Sequence, residues 1–411
     1  MNAVIGTYAD EMDMEVGYTI EYRRDRASIP QRSRRPEHRS RSAAPACVNG
    51  IHRRRNKRWT WGTSRGAPMS SVRSVASALA VVLASLAAAA TAAPLVTIDT
   101  VTVGDPGNAA TSGTAGPSRG SVNRVFEIAK TETTNTDYVK FLNAIDPSGL
   151  NQYQTYNAAM TSNTINGGIL FNSGSAAGAK YSVRAGFADR PVTFVTWFSA
   201  ARFANWLNNG ATSTASTETG AYTLSGSTSG APVARNANAQ VFLPSLDEFT
   251  KAAYYKGGST NAGYWNYATQ SNSAPSVATV ATGSSNVANY GGGNTPAQTT
   301  GVVAGNLFPN ATSYYGLMNA FGNVSEFTDT INTANANQVA AGGANWRVNT
   351  ANAARWGSQN VVYTNTVASD QYGFRVAAVP EPGAMVLAAV GLGGAFGGEY
   401  LRRRRRKVRL G

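Results

Sequence analysis

Whatever chemistry this 411-residue chain performs, almost its whole length must do it without thiols or imidazoles. Its single cysteine is Cys47, and its two histidines are His38 and His52. All three precede Met69, so the body beyond has no thiolate nucleophile, no disulfide and no imidazole for proton transfer or metal ligation. Carboxylates, guanidinium groups and aromatic rings remain. Glu326, Asp329 and Arg347 make a lean set capable of acid–base work. Glu248 reads as structural rather than as a general acid, because Ser245 stands three residues before it at capping-box spacing; a buried pairing with Arg375 is expected. Trp346, Arg347 and Trp356 combine aromatic faces with a planar cation, which suits stacking on a sugar ring or gripping a peptide carboxylate. Trp197, Trp206 and Phe249 fall at helical spacing and belong to a core.

The elements that would position these residues are legible in three places. Thr134 or Asn135 caps a helix in which Tyr138, Phe141, Leu142 and Ile145 recur as one apolar stripe. Thr196 caps a second, with Trp197, Ala200, Ala201, Ala204 and Leu207 on one face and Gly210 after its end. Ser245 opens a third, with Phe249, Ala252 and Ala253 buried and Gly257 as its stop. Residues 191–195 and 241–243 read as short strands. Residues 104–120 read as a flexible lead-in, and the low-complexity stretches 211–231 and 270–300 as surface loops. Helices grouped early, followed by a loop-rich second half, define an irregular α+β fold.

Both ends look like addresses. From Met69 the pattern is that of a secretory signal peptide: Arg73, an apolar stretch at 76–89, and small residues Ala90, Thr91 and Ala92 before cleavage at Ala93. Residues 1–68 then lie upstream of the true start at Met69, with a long basic leader as the alternative. At the other end, VPEPG at 379–383 precedes an apolar run at 384–396 and five arginines at 402–406. This order is similar to the PEP-CTERM sorting signal of Gram-negative bacteria, which implies processing by exosortase-type machinery. An ordinary tail anchor is the alternative, but the run is short for a span of about 20 residues, so membrane association is expected to be transient. The expected destination is the cell surface, outer envelope or extracellular matrix.

These ends also explain the net charge of +14. Residues 1–68 hold 14 Lys and Arg against 7 Asp and Glu, whereas residues 93–380 hold 14 against 13. A nearly neutral body has no overall excess with which to neutralise a phosphate backbone, so nucleic acid is not an expected partner.

Six landmarks occur in order between 121 and 378. They are the stretch at 126–146 with its Glu132–Thr133–Thr134–Asn135 run, the Pro-Val…Trp…Trp-Leu segment at 190–208, and LPSLDEFTKAA at 243–253. YGLMNAFGNVSEFTD at 315–329, the pair Gly342 and Gly343, and a closing Gly373–Phe374–Arg375 complete the series. Together they resemble the formylglycine-generating enzyme/sulfatase-modifying factor family. The resemblance implies a C-type-lectin-like α+β fold with much irregular structure, over 121–378. It also implies a reaction, oxidation of a sulfatase cysteine by two redox cysteines, for which this chain lacks the residues. Counted from the Gly pair, Arg347 and Asn352 stand where those thiols would fall, Ala344 replaces the family serine, and no copper is expected.

One family site survives in the sequence. The resemblance implies a structural Ca²⁺ held by side chains of Asn319 and Glu326 and carbonyls of Gly322 and Val324, all hard oxygen donors. It also places Trp346, Arg347, Asn352 and Trp356 in the segment framing the family's groove, as a candidate ligand surface. Two function classes follow: an exported, non-catalytic lectin-like module binding glycan or matrix or serving structurally, and a family enzyme with cysteine-independent chemistry. An open groove with exposed Trp or Tyr would favour the first, and convergent polar groups of perturbed acidity the second.

Overall fold

The computed structural model of the chain describes residues 93–111, 118–292, 301–348, 362–364 and 368–380. It is an α+β fold of short strands and few helices joined by long irregular stretches. The first strand, β1 (Thr100–Val103), pairs antiparallel with β2 (Phe126–Ala129), matching Val103 to Phe126 and Thr100 to Ala129. Chain order then runs through α1 (Asn135–Ile145), α2 (Ala159–Ser162), β3 (Ile169–Phe171), β4 (Tyr181–Val183) and α3 (Trp197–Asn208). After these come β5 (Val241–Phe242), α4 (Leu246–Tyr254), β6 (Ser276–Val277) and β7 (Val287–Ala288). The remainder is β8 (Ser325–Ile331), β9 (Gln338–Gly342), β10 (Val362–Thr364), β11 (Tyr372–Gly373) and β12 (Ala377–Ala378).

Two four-stranded sheets organise these pieces, one in the order β1-β2-β12-β5 and one in the order β10-β9-β8-β11. The first is antiparallel throughout, and its C-terminal strand β12 lies between β2 and β5. Closure by the last strand brings the beginning and end of the domain together. In the second sheet the long strand β8 pairs antiparallel with β9 and parallel with β11.

The three long helices start where the caps place them. Thr134 Oγ1 accepts from Asp137 N at 3.1 Å and Thr196 Oγ1 from Ser199 N at 3.1 Å. Ser245 and Glu248 form the full reciprocal box: Glu248 N donates to Ser245 Oγ at 3.1 Å, and Ser245 N donates to Glu248 Oε2 at 2.7 Å. Each cap satisfies amide donors that would otherwise be orphaned in the first turn. The buried stripes of α1 and α3 meet in an aromatic cluster. Phe203 stacks on Tyr138 and meets Phe141 and Phe374 edge-on, with Trp206 beside Phe141.

Three expectations need correction. Residues 191–195 form no strand: Phe194 takes a φ of +59°, and the segment makes only an isolated bridge at Pro191. The described part of the lead-in is anchored rather than a tether: Gly107 N donates to Val122 O at 2.9 Å, Ala109 N to Thr260 O at 2.8 Å, and the buried Lys251 ammonium donates to the Asp105 carbonyl at 2.8 Å. The stretch 211–231 is partly core: Tyr222 is fully buried, and the Asn205 side chain binds both its amide and its carbonyl. In the last two cases side-chain polarity had concealed a backbone anchored by long-range hydrogen bonds.

Candidate functional site

The Asn319–Glu326 turn and strand start are built from left-handed backbone. Asn319, Gly322 and Asn323 have φ values of +49°, +86° and +60°. Gly322 is obligatory here, since a Cβ on it would sit 2.4 Å from the Asn289 carbonyl oxygen. The fully buried Asn323 side chain then ties the turn down: its Oδ1 accepts from Val303 N at 2.9 Å and its Nδ2 donates to Glu132 Oε1 at 3.0 Å.

Behind the turn lies a buried charge centre. Arg375, fully buried, donates from Nε to Glu326 Oε2 at 2.5 Å and from Nη2 to Glu326 Oε1 at 2.6 Å. Its remaining donors reach the carbonyls of Ala129 at 3.0 Å, Lys130 at 3.2 Å and Met318 at 3.1 Å. Burial works against the guanidinium charge, but Glu326 outweighs it and holds the pKa above its ordinary value. Glu132 has no such partner, and its Oε2 is buried without a hydrogen bond. Burial pushes its pKa up to about 8, against the pull of Arg375. One guanidinium thus serves two carboxylates unequally: Glu326 takes its hydrogen bonds, Glu132 feels only its charge, and burial raises the pKa of both.

A second charge cluster flanks α4. Arg235 donates from Nε to Asp329 Oδ2 at 2.6 Å and from Nη2 to Glu248 Oε2 at 2.9 Å, and stacks 3.8 Å over the Phe242 ring. Arg124 also pairs with Glu248. The partner of Glu248 is therefore Arg235 with Arg124, not the expected Arg375, which belongs to Glu326. Nor do Glu326, Asp329 and Arg347 converge on one site: each is committed to a different ion pair, with Arg375, Arg235 and Asp370 respectively. The acid–base set drawn from sequence is dispersed.

For an ion the fit is partial. Among the described residues, the carbonyls of Gly322 and Val324 accept no hydrogen bond, which leaves two hard donors available. Glu326 Oε1 and Oε2 each accept from Arg375, so an ion there would use only their remaining lone pairs. Asn319 donates from Nδ2 to the carbonyls of Ala304 at 3.3 Å and Gly305 at 3.2 Å. Among the described residues, no group of three His, Cys, Asp or Glu side chains is placed to hold a metal.

Of the four groove residues read from sequence, Asn352 and Trp356 lie outside the described residues. Trp346 is only 7% exposed and packs with Val302 and Val324, its Nε1 donating to Asp370 O at 3.0 Å. It cannot offer a ring face to a sugar. Arg347 is half exposed, bonds Asp370 Oδ2 at 2.8 Å and covers the Trp346 ring at 4.5 Å.

Concave surface lies elsewhere. An open groove of about 930 Å³ runs along Pro94, Val96 and Ile98, past Leu207 and Val241, to Val376 and Ala378. Its lining is mainly apolar and holds no aromatic ring, so it meets only half of the expectation for a binding module. Sequence reasoning also missed Arg235, although one signal was there: it is the only cation between Arg202 and Lys251. Glu132 stood out in the sequence only as part of the 132–135 run.

Fold and turn together define an irregular α+β scaffold closed by its own C-terminal strand, with an arginine-neutralised interior. The family model described as the sulfatase-modifying factor enzyme 1-like domain (FGE-sulfatase) matches residues 87–379, and the chain belongs to that family. This span also takes in the lead-in segment, in keeping with the place of β1 in the sheet. No curated protein matches the chain. Among solved structures it is similar to Treponema denticola variable protein 1, at 18% identity and TM-score 0.42, covering 68% of this chain and 95% of that one. CarF follows at 19% identity and TM-score 0.41, covering 70% and 100%. PvdO from Pseudomonas aeruginosa shows 15% identity and TM-score 0.39, covering 69% and 92%. At these scores the likenesses add nothing to the family assignment.

Proposed function

We propose that this chain is an exported, surface-sorted member of the family whose domain serves as a binding or structural module and does not generate formylglycine. The observation carrying this reading is the chemistry at the two positions where the resemblance puts redox cysteines. Arg347 and Asn352 occupy them, and the one cysteine in the chain, Cys47, lies before Met69. Arg347 is moreover closed into a pair with Asp370. An Arg–Asp pair can neither exchange a disulfide nor hold cuprous copper through sulfur.

The export half rests on the two terminal addresses, and the partners it implies are sorting machinery, then glycan or matrix at the cell surface. A structural Ca²⁺ belongs to the proposal as well, held by the carbonyls of Gly322 and Val324, the Asn319 amide oxygen and the free lone pairs of Glu326. Its role would be to fix the left-handed turn by neutralising converging oxygens.

The deciding experiment incubates the full chain with a sulfatase-type cysteine peptide, copper and oxygen, and captures any aldehyde as a hydrazone. No aldehyde above the peptide-alone control is expected; turnover would end the non-catalytic reading. In the native host, the mature protein should appear at the surface without its 402–406 arginines. An intact terminus on the mature protein would remove the sorting half alone.

A further inference from the structure

The groove beside the last strand has an occupant of suitable chemistry built into the same chain. Its wall includes Val376, Ala377 and Ala378, the final residues before the terminal segment. Val379 continues the strand by donating its amide to the Gln240 carbonyl at 2.9 Å, and Pro380, the last described residue, is buried. The chain therefore leaves the folded body on the rim of the groove. Only Glu381, Pro382 and Gly383 separate that point from the apolar run at 384–396. Four peptide steps reach at most about 14 Å, so Ala384 cannot be far from the opening. Gly383 supplies the free backbone that a reversal of direction needs.

We propose that this groove receives the chain's own 384–396 segment in water, sheltering it until a membrane or the sorting machinery takes it. Composition matches on both sides. The segment is uncharged and rich in Ala, Val, Leu and Gly, and small side chains let a backbone approach closely. The groove offers aliphatic side chains of similar size, with Val96, Ile98, Leu207 and Val241 among them, and no aromatic platform that would favour a ring ligand. Its one carboxylate, Glu127, is already bonded by Thr100 Oγ1 at 2.9 Å. A three-residue tether gives an effective concentration in the millimolar range, so a weak apolar contact suffices to fill the groove. Thirteen apolar residues left in water would otherwise be an aggregation hazard.

The inference rests on groove and tether, and stands or falls separately from the sorting assignment. A full-length chain carrying Cys47→Ser, Thr212→Cys and Ala389→Cys is treated with a short thiol crosslinker and mapped by mass spectrometry. A companion chain places the first thiol at the exposed, off-groove Ser273 instead. Intramolecular linkage of position 389 to 212 should exceed linkage to 273 about tenfold, the advantage expected of a tethered contact. Adding Leu387→Asp and Leu392→Asp, which lie outside the described fold, should abolish that preference while leaving the melting temperature unchanged. Anionic phospholipid vesicles should do the same by drawing the segment away. Equal yields at 212 and 273 would overturn the proposal. So would links formed only between two molecules, which would make a second copy the occupant, or a preference that survives both aspartates. Preferential linkage with an unprocessed terminus in cells would sink the sorting reading alone, and processing without linkage would sink this one alone.

Discussion

Replacing Arg235 with methionine tests whether the cluster beside α4 holds the fold by charge compensation. Arg235 serves two carboxylates at once, Asp329 and Glu248, whose side chains are nearly sealed from water. They do not depend on it equally. Glu248 keeps Arg124 and the Ser245 amide, whereas Asp329 keeps only the Tyr222 hydroxyl at 3.1 Å. Breaking a buried pair by removing one partner costs about 3–5 kcal/mol, and most of that should come from the stranded Asp329 charge. Arg235→Met, which retains the stem packing on Phe242, should therefore lose about 3–5 kcal/mol at pH 7 in urea unfolding followed by tryptophan fluorescence. Adding Asp329→Asn should recover about 2 kcal/mol, a strongly non-additive result for a contacting pair. The pH dependence has a defined sign. Burial already raises the Asp329 pKa, and loss of Arg235 raises it further. A folded acid with a raised pKa costs stability above its unfolded pKa and is relieved as pH falls through the folded value. The Arg235→Met deficit should accordingly shrink on acidification. Losses that simply add, or a single-variant cost below about 1 kcal/mol, would refute compensation as the purpose of this cluster.

Glu132 makes a separate pH prediction, measured in EDTA. With a folded pKa of about 8, above its unfolded value, it should drain stability as pH rises from about 4.5 to 8, by at most about 1.4 kcal/mol per pH unit. Glu132→Gln should flatten that slope, and an unchanged slope would assign it to other groups. Gly322→Ala combines a φ of +86° with a 2.4 Å approach to backbone, so it should cost roughly 3 kcal/mol or prevent folding; a neutral outcome would show that the turn can rearrange. Calcium at a hundredfold excess over Kd should stabilise the chain by about 2.7 kcal/mol relative to EDTA. Asn319→Ala should reduce that gain, and identical melting curves with and without Ca²⁺ would dispose of the ion.

Helix starts were legible from sequence because capping is local. Thr134, Thr196 and Ser245 each satisfy an amide three residues away, so spacing alone specifies them. The left-handed turn at Gly322 was not read this way; Gly322 entered only as a carbonyl ligand implied by the family resemblance, and the contact that requires glycine there, the Asn289 carbonyl, is distant in sequence. Strand identity was not local in this chain. The 191–195 run has the β-branched and aromatic composition of a strand, yet Phe194 turns into left-handed backbone and gives its amide to Ser369 across the fold. Conversely, nothing in the polar composition of 211–231 announced a fully buried Tyr222.

Charge pairing shows the division most clearly. The residues themselves set which side chains are on hand: after Met69 the sequence holds no cysteine and no histidine. Spacing could also mark Glu248 as structural, and left Glu326 as a candidate acid–base residue or ion ligand. It could not say that Arg235 answers the first and Arg375 the second, because both pairs join segments of the chain that meet only when strands and helices pack. Partner choice among buried charges depends on which fork of nitrogens arrives within hydrogen-bond reach of which carboxylate, and that is a property of the assembled interior. The groove is of the same kind: its walls come from Pro94 and 96–98, Thr100, Glu127, Leu207 and 209–214, Val241 and 376–378, and only closure of the sheet by the last strand brings them to one surface.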